Sequence, residues 1–182
     1  MTPALTHLGV TRPLLLTLLL TTLWALLTAC QAKEPANKPA LTGVSMTGID
    51  HLADHLSVQD FWVNGRSGFQ AGKGGRTVCC GTVPKRWYPG AQIEVSWAVA
   101  NWQAGTWHCF RRQVPLDRYD ELGQLYVHFM PDGTVRALLS NYYPEGNAYP
   151  GPRIPIPSKK PWDVYPPPPT VEHCPENEGP HP

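Results

Sequence analysis

The chain of 182 residues carries 15 basic and 14 acidic side chains, a net charge of +1, which excludes a strongly basic nucleic-acid binder and a purely charge-driven membrane partner. It also holds 21 prolines and seven tryptophans. Proline at that density interrupts helices and excludes a bundle of long ones.

Residues 1–29 read as a signal peptide. Arg12 is the one Lys or Arg of this stretch, which has no acidic residue, and Leu14–Leu27 (LLLTLLLTTLWALL) is an apolar run of 14 residues. That length suits a signal h-region and is short for a permanent membrane span. The run ends in Leu27-Thr28-Ala29-Cys30, which resembles the lipobox of bacterial lipoproteins. The resemblance implies cleavage before Cys30 and fatty acylation of that cysteine, and several acyl chains on one residue anchor a protein stably. Gln31 rather than Asp follows the cysteine. By the sorting rule of enteric lipoproteins, this implies the periplasmic face of the outer membrane. Processing leaves 14 basic against 14 acidic residues.

Residues 30–40 read as a polar, proline-containing tether, and residues 41–150 as a β-rich domain. Around Asp50–Ser57 there is one short helical possibility. Phe61–Val63 and Val78–Val83 are short strand candidates on either side of the glycine-rich Gly65–Gly75. Gln92–Ala100 (QIEVSWAVA) alternates strictly, placing Ile93, Val95, Trp97 and Val99 on one face of a half-buried strand. Cys109–Val114 is a weaker strand. Leu125–Met130 and Val135–Ser140 flank Pro131-Asp132-Gly133-Thr134, a hairpin signal. Five to seven short strands predict an all-β fold, a small sandwich or open barrel. Residues 151–182 form a Pro-rich extension, predicted to be polyproline-like chain with Ile154, Ile156, Trp162, Val164 and Tyr165 as apolar handholds.

Four cysteines remain besides Cys30: Cys79, Cys80, Cys109 and Cys174. In an oxidising envelope they are disulfide candidates. Neighbouring residues sit too close for the usual bridge, so Cys79–Cys80 is the least expected pair. Two connectivities stay open, in which Cys109 and Cys174 each take one member of the doublet, with free buried thiols as the alternative. His51 and His55 flank Asp54 without a third metal ligand at a recognisable spacing and read as a polar surface turn. His108 and His173 each precede a cysteine but lack tetrahedral-site spacing. Gly72-Lys73-Gly74-Gly75-Arg76 leads toward a strand rather than a helix and reads as an inter-strand loop, not a phosphate loop. No serine has a nucleophile-elbow context and no paired carboxylates stand out. The sequence therefore predicts neither an enzyme nor a cofactor.

The ordered motifs Phe61-Trp62-Val63-Asn64-Gly65, Cys79-Cys80, Pro84-Lys85-Arg86-Trp87-Tyr88-Pro89-Gly90, Val95-Ser96-Trp97, Tyr126–Gly133 and Asn141-Tyr142-Tyr143-Pro144 resemble one family. It is a proteobacterial lipoprotein family of unknown function, often encoded beside type VI secretion phospholipase effectors. The resemblance covers roughly residues 42–150. It implies an immunity protein that binds and neutralises a lipase effector in the periplasm, with a protein partner, a membrane contact through lipid and no nucleic acid. The alternative is an envelope structural or binding lipoprotein with no toxin partner. Rigid aromatics on turns make good interface anchors, which singles out Trp87, Tyr88, Tyr142 and Tyr143 as candidate partner-binding residues.

Overall fold

The computed structural model describes residues 39–159. The expected signal peptide, Cys30, most of the tether, and the tail from residue 160 onward with Cys174 lie outside them. The described chain is all-β, and none of its segments is a helix long and apolar enough to cross a membrane. Eight strands follow in order: β1 Leu41–Asp50, β2 Leu56–Val63, β3 Arg66–Phe69, β4 Val78–Pro84, β5 Gln92–Asn101, β6 Thr106–Pro115, β7 Gln124–Phe129 and β8 Val135–Ser140. They make two four-stranded sheets, β4-β1-β7-β8 and β3-β2-β5-β6, packed as a sandwich. All pairings are antiparallel except β1 with β7.

Strict alternation accounts for β5. Ile93, Val95, Trp97 and Val99 enter the core between the sheets, where they meet Phe61 and Val63 of β2 and Leu125, Val127 and Phe129 of β7. The hairpin between β7 and β8 turns at Gly133, whose φ of 77° suits a residue without Cβ. Asp132 Oδ1 accepts the backbone N–H of Thr134 at 2.9 Å, closing the turn.

Strand β1 and the four-residue β3 are additions to the sequence reading, and together they bring the strand number to eight. Residues 50–57 form no helix; β1 ends at Asp50, and a turn leads into β2. The reason β1 hides in the sequence is burial on both faces. Val44 and Met46 face the core, while Ile49 joins a second apolar cluster with Tyr126, Leu138 and Tyr149 on the outer face of the same sheet. Ile156 packs against that cluster, so the segment after β8 lies over this sheet as a strap. Two glycines make room for the Phe61 ring. A Cβ on Gly68 would stand 2.0 Å from Phe61 Cζ, and one on Gly48 2.7 Å from Cε1.

Trp87 and Tyr88 are half-buried and pack against the main core. Trp87 Nε1 donates to the Leu116 carbonyl at 3.0 Å. Replacing Trp87 with phenylalanine keeps most of the ring contact but removes this bond. The expected loss is about 1 kcal/mol of unfolding free energy in urea titration, and a loss above about 3 kcal/mol would show that the ring's shape, not the bond, holds the turn.

Candidate functional site

Two features stand out on the first sheet: a buried polar chain and an exposed aromatic face. The polar chain begins at Asp50, the last residue of β1. Its carboxylate is buried and accepts the N–H groups of Leu52 at 2.9 Å and Val58 at 3.0 Å. Lys159 of the strap reaches it at 3.2 Å and also donates to the carbonyls of Leu52 at 2.5 Å and Ala53 at 2.9 Å. Three donors on the ammonium thus meet three acceptors. Burial lowers the Lys159 pKa, and the Asp50 charge opposes that shift.

One residue on, His51 is buried rather than at the surface as the sequence reading had it, with 2% of its area exposed. The physical reason is the strap: alternation turns His51 to the outer face of the sheet, and residues 149–156 cover that face. His51 Nε2 lies 2.9 Å from His128 Nδ1, and His128 Nε2 lies 2.6 Å from the Tyr149 hydroxyl. The two imidazoles stack with centroids 5.2 Å apart and 11° between planes. His51 Nδ1 is buried without a hydrogen-bond partner, and the backbone of Ile154 and Pro155 lies close to the ring. One assignment of protons orders the chain: Tyr149 donates to His128, His128 donates to His51, and His51 keeps its proton on Nδ1 toward the strap.

Burial holds His128 to a pKa of about 3, with His51 and Arg136 nearby adding to the shift. Burial also lowers His51, partly opposed by the Pro155 carbonyl and the Asp50 charge, and raises Tyr149. The donors and acceptors of this chain are largely spent on one another, so its chemistry is that of a clamp between strap and sheet. A cavity of 280 Å³ lies beside it, lined among others by His51, Lys73, Glu145 and Arg153. A larger one of 580 Å³ lies on the other side of Ile156, between Gly72–Arg76 and residues 156–159.

The exposed face is built from two loops. After β8, Ser140 Oγ accepts the N–H of Tyr142 at 2.9 Å and lies 3.1 Å from its carbonyl, fixing the root of the turn. Tyr142 and Tyr143 then stand 57% and 71% exposed. Pro144 packs beside Gly74 of the glycine-rich loop, and that loop leads into β4 as an inter-strand connection. At its far end the Arg76 guanidinium covers the Phe69 ring at 4.6 Å, and Phe69 is itself 46% exposed. Phe69 and Arg76 join Tyr142 and Tyr143 as candidate contact residues. Their signal in the sequence is weak, since an isolated Phe and an isolated Arg flanking glycines mark nothing by themselves.

Of the predicted anchors, the structure presents Tyr142 and Tyr143 and assigns Trp87 and Tyr88 to the rim of the core. Among the cysteines, Cys79 and Cys80 sit in β4 with Cα atoms 3.0 Å apart and their sulfurs side by side. That separation is below the range of a structural bridge, so the pair is not a disulfide. Cys109 lies in β6, opposite Ala98 of β5. β4 is the edge strand beside β3, whereas β6 is the edge strand beside β8. The doublet and Cys109 are therefore at opposite sides of the sandwich. This removes the expectation that Cys109 takes a member of the doublet.

Fold and surface together define a two-sheet β-sandwich that strap and loops dress with one buried clamp and one open aromatic face. The model of a family described as protein of unknown function (DUF3304) matches residues 52–137. That span runs from the turn after β1 into β8 and holds Phe69, Arg76 and His128, while Asp50, His51 and the Tyr142–Tyr149 segment lie outside it. No curated protein and no solved structure matches the chain.

Proposed function

We propose that this chain is an outer-membrane lipoprotein, tethered through Cys30, whose sandwich binds and neutralises a type VI secretion lipase effector in the periplasm. The observation that carries the reading is the pair Tyr142–Tyr143, 57% and 71% exposed on a turn locked at Ser140. Large rigid rings left open on an ordered turn are what a protein interface uses as anchors, because little side-chain entropy is lost on docking. Phe69 under Arg76 offers a cation and a third exposed ring. A binding domain held at the membrane surface meets a lipid-attacking toxin at raised effective concentration.

The test is a periplasmic protection assay with the lipase encoded beside the gene. Cells exporting the mature chain are expected to survive the toxin, and cells retaining it in the cytoplasm are expected to die. Equal killing in both would overturn the reading. The double substitution Tyr142→Ala with Tyr143→Ala is expected to weaken the complex about 30-fold or more by calorimetry, taking roughly 1 kcal/mol per truncated anchor as a floor. Its melting temperature should stay within about 2 °C of the parent, because neither ring packs in the core.

A further inference from the structure

The outer face of the second sheet has an unusual composition. Along β5, residues 93, 95, 97 and 99 face the core, so Glu94, Ser96, Ala98 and Ala100 face away from it. Ala98 and Ala100 are nonetheless 5% and 0% exposed, and neither belongs to the main core or to the cluster on the first sheet. In register, Ala98 is flanked by Asp60 and Cys109, Ala100 by Ser57 and Trp107, and Ser96 by Trp62 and Arg111. Trp102 folds over from the β5–β6 turn and donates Nε1 to Ser57 Oγ at 2.6 Å. The result is a floor of small residues with indoles of Trp62, Trp102 and Trp107 around it. Trp107 Nε1 is buried there with no acceptor.

We propose that this face is a groove for polyproline-II chain, and that its occupant is the chain's own segment Lys160–Pro182. A small-residue floor walled by aromatic rings, with a spare indole N–H, matches what such a chain offers. Its proline rings lie flat on aromatics, and its carbonyls have no internal partners. The buried Trp107 N–H needs such a carbonyl, since an unpaired buried donor carries a desolvation penalty.

The path of the described chain argues for its own continuation as occupant. After β8 the strap covers the outer face of the first sheet through Tyr149 and Ile156. At Lys159 it is tied to the Leu52 and Ala53 carbonyls, in the turn that joins β1 of one sheet to β2 of the other. Ser158 and Lys159 line the same cavity as Ser57 and Trp102. The chain is thus delivered to the Ala100 end of the groove. The next 23 residues contain eight prolines, including Pro166–Pro169. At about 3.1 Å per residue they have ample length to run along the sheet.

Hydrogen exchange on the full mature chain tests this. The amides of Val164, Tyr165 and Val171 are expected to exchange at least about tenfold more slowly than in the isolated peptide 160–182. Ala98→Arg, which fills the floor with a side chain that tolerates solvent, should abolish that protection and leave the amides of β5 and β7 slow. Trp107→Phe keeps an aromatic wall but removes the indole N–H together with the pyrrole part of the ring, and should cut tail protection about fivefold. Should Ala98→Arg also loosen β5 and β7, the phenylalanine variant decides alone. Tail amides at peptide rates in the parent chain, or protection unchanged in Trp107→Phe, would overturn the proposal. So would tight binding of a separate proline-rich peptide to a parent chain whose own tail is free.

Discussion

Asp50→Ala is expected to lower the unfolding free energy of the full chain by about 3–5 kcal/mol, measured by urea denaturation at neutral pH. The size follows from what the carboxylate holds. It accepts two backbone N–H groups, of Leu52 and Val58, that shape the turn between the sheets. It is also the counter-charge of Lys159, whose side chain is 21% exposed against 3% for Asp50. Removing the carboxylate leaves both backbone N–H groups without their acceptor and the Lys159 ammonium with two carbonyls but no counter-charge. An uncompensated charge outweighs the loss of the attraction itself. Lys159→Met is the informative comparison. It leaves Asp50 with both amide bonds and keeps an apolar stem of similar length, so a loss of only about 1–2 kcal/mol is expected. Equal losses in the two variants would mean that the ion pair, and not the turn, is the structural element. A loss below about 1 kcal/mol for Asp50→Ala would show that water enters and replaces the carboxylate.

Elements whose signals are local in the chain are the ones legible in the sequence. β5 was legible because one face is buried and the other is not along most of its length, giving period-two alternation. The β7–β8 hairpin was legible because Asp132 and Gly133 do their work within four residues. β1 was not, because the strap buries its outer face and the glycines at 43 and 48 serve neighbouring strands rather than β1 itself. The exposed pair Tyr142–Tyr143 was legible as two aromatics after a hairpin. Trp87 and Tyr88 carried the same signal, yet they sit in the core rim, since a turn sequence does not say which way its rings fold. The clamp was invisible for a different reason. His51, His128 and Tyr149 lie 77 and 21 residues apart along the chain, and the one trace of the clamp is a histidine inside the apolar run Leu125-Tyr126-Val127-His128-Phe129.

That histidine makes the fold acid-sensitive. His128 is held to a pKa of about 3 in the folded chain by burial, with His51 and Arg136 adding to the effect, against about 6.5 when unfolded. The unfolded chain therefore binds more protons as the pH falls. The stability that the neutral ring contributes is fully present above about pH 6.5 and is lost progressively toward pH 3. For this one group the loss from pH 7 to pH 5 is about 2 kcal/mol by linkage, and His51, shifted in the same direction, adds to it. The window between pH 7 and 5 lies above the ordinary carboxylate range, which separates the effect from general acid denaturation. Urea midpoints at pH 7, 6 and 5 should fall steadily in the parent chain. In His128→Leu, which fills the space but cannot take a proton, the slope should flatten to roughly half or less, even though the variant is less stable at pH 7 because Tyr149 loses its acceptor. Parallel slopes in the two proteins would show that the buried imidazole is not the acid-sensitive element. Because Tyr149 belongs to the strap, its exchange-protected amides should loosen before those of β5 as the pH is lowered. Strap and sheet would then part at the clamp first, leaving the core between the sheets intact.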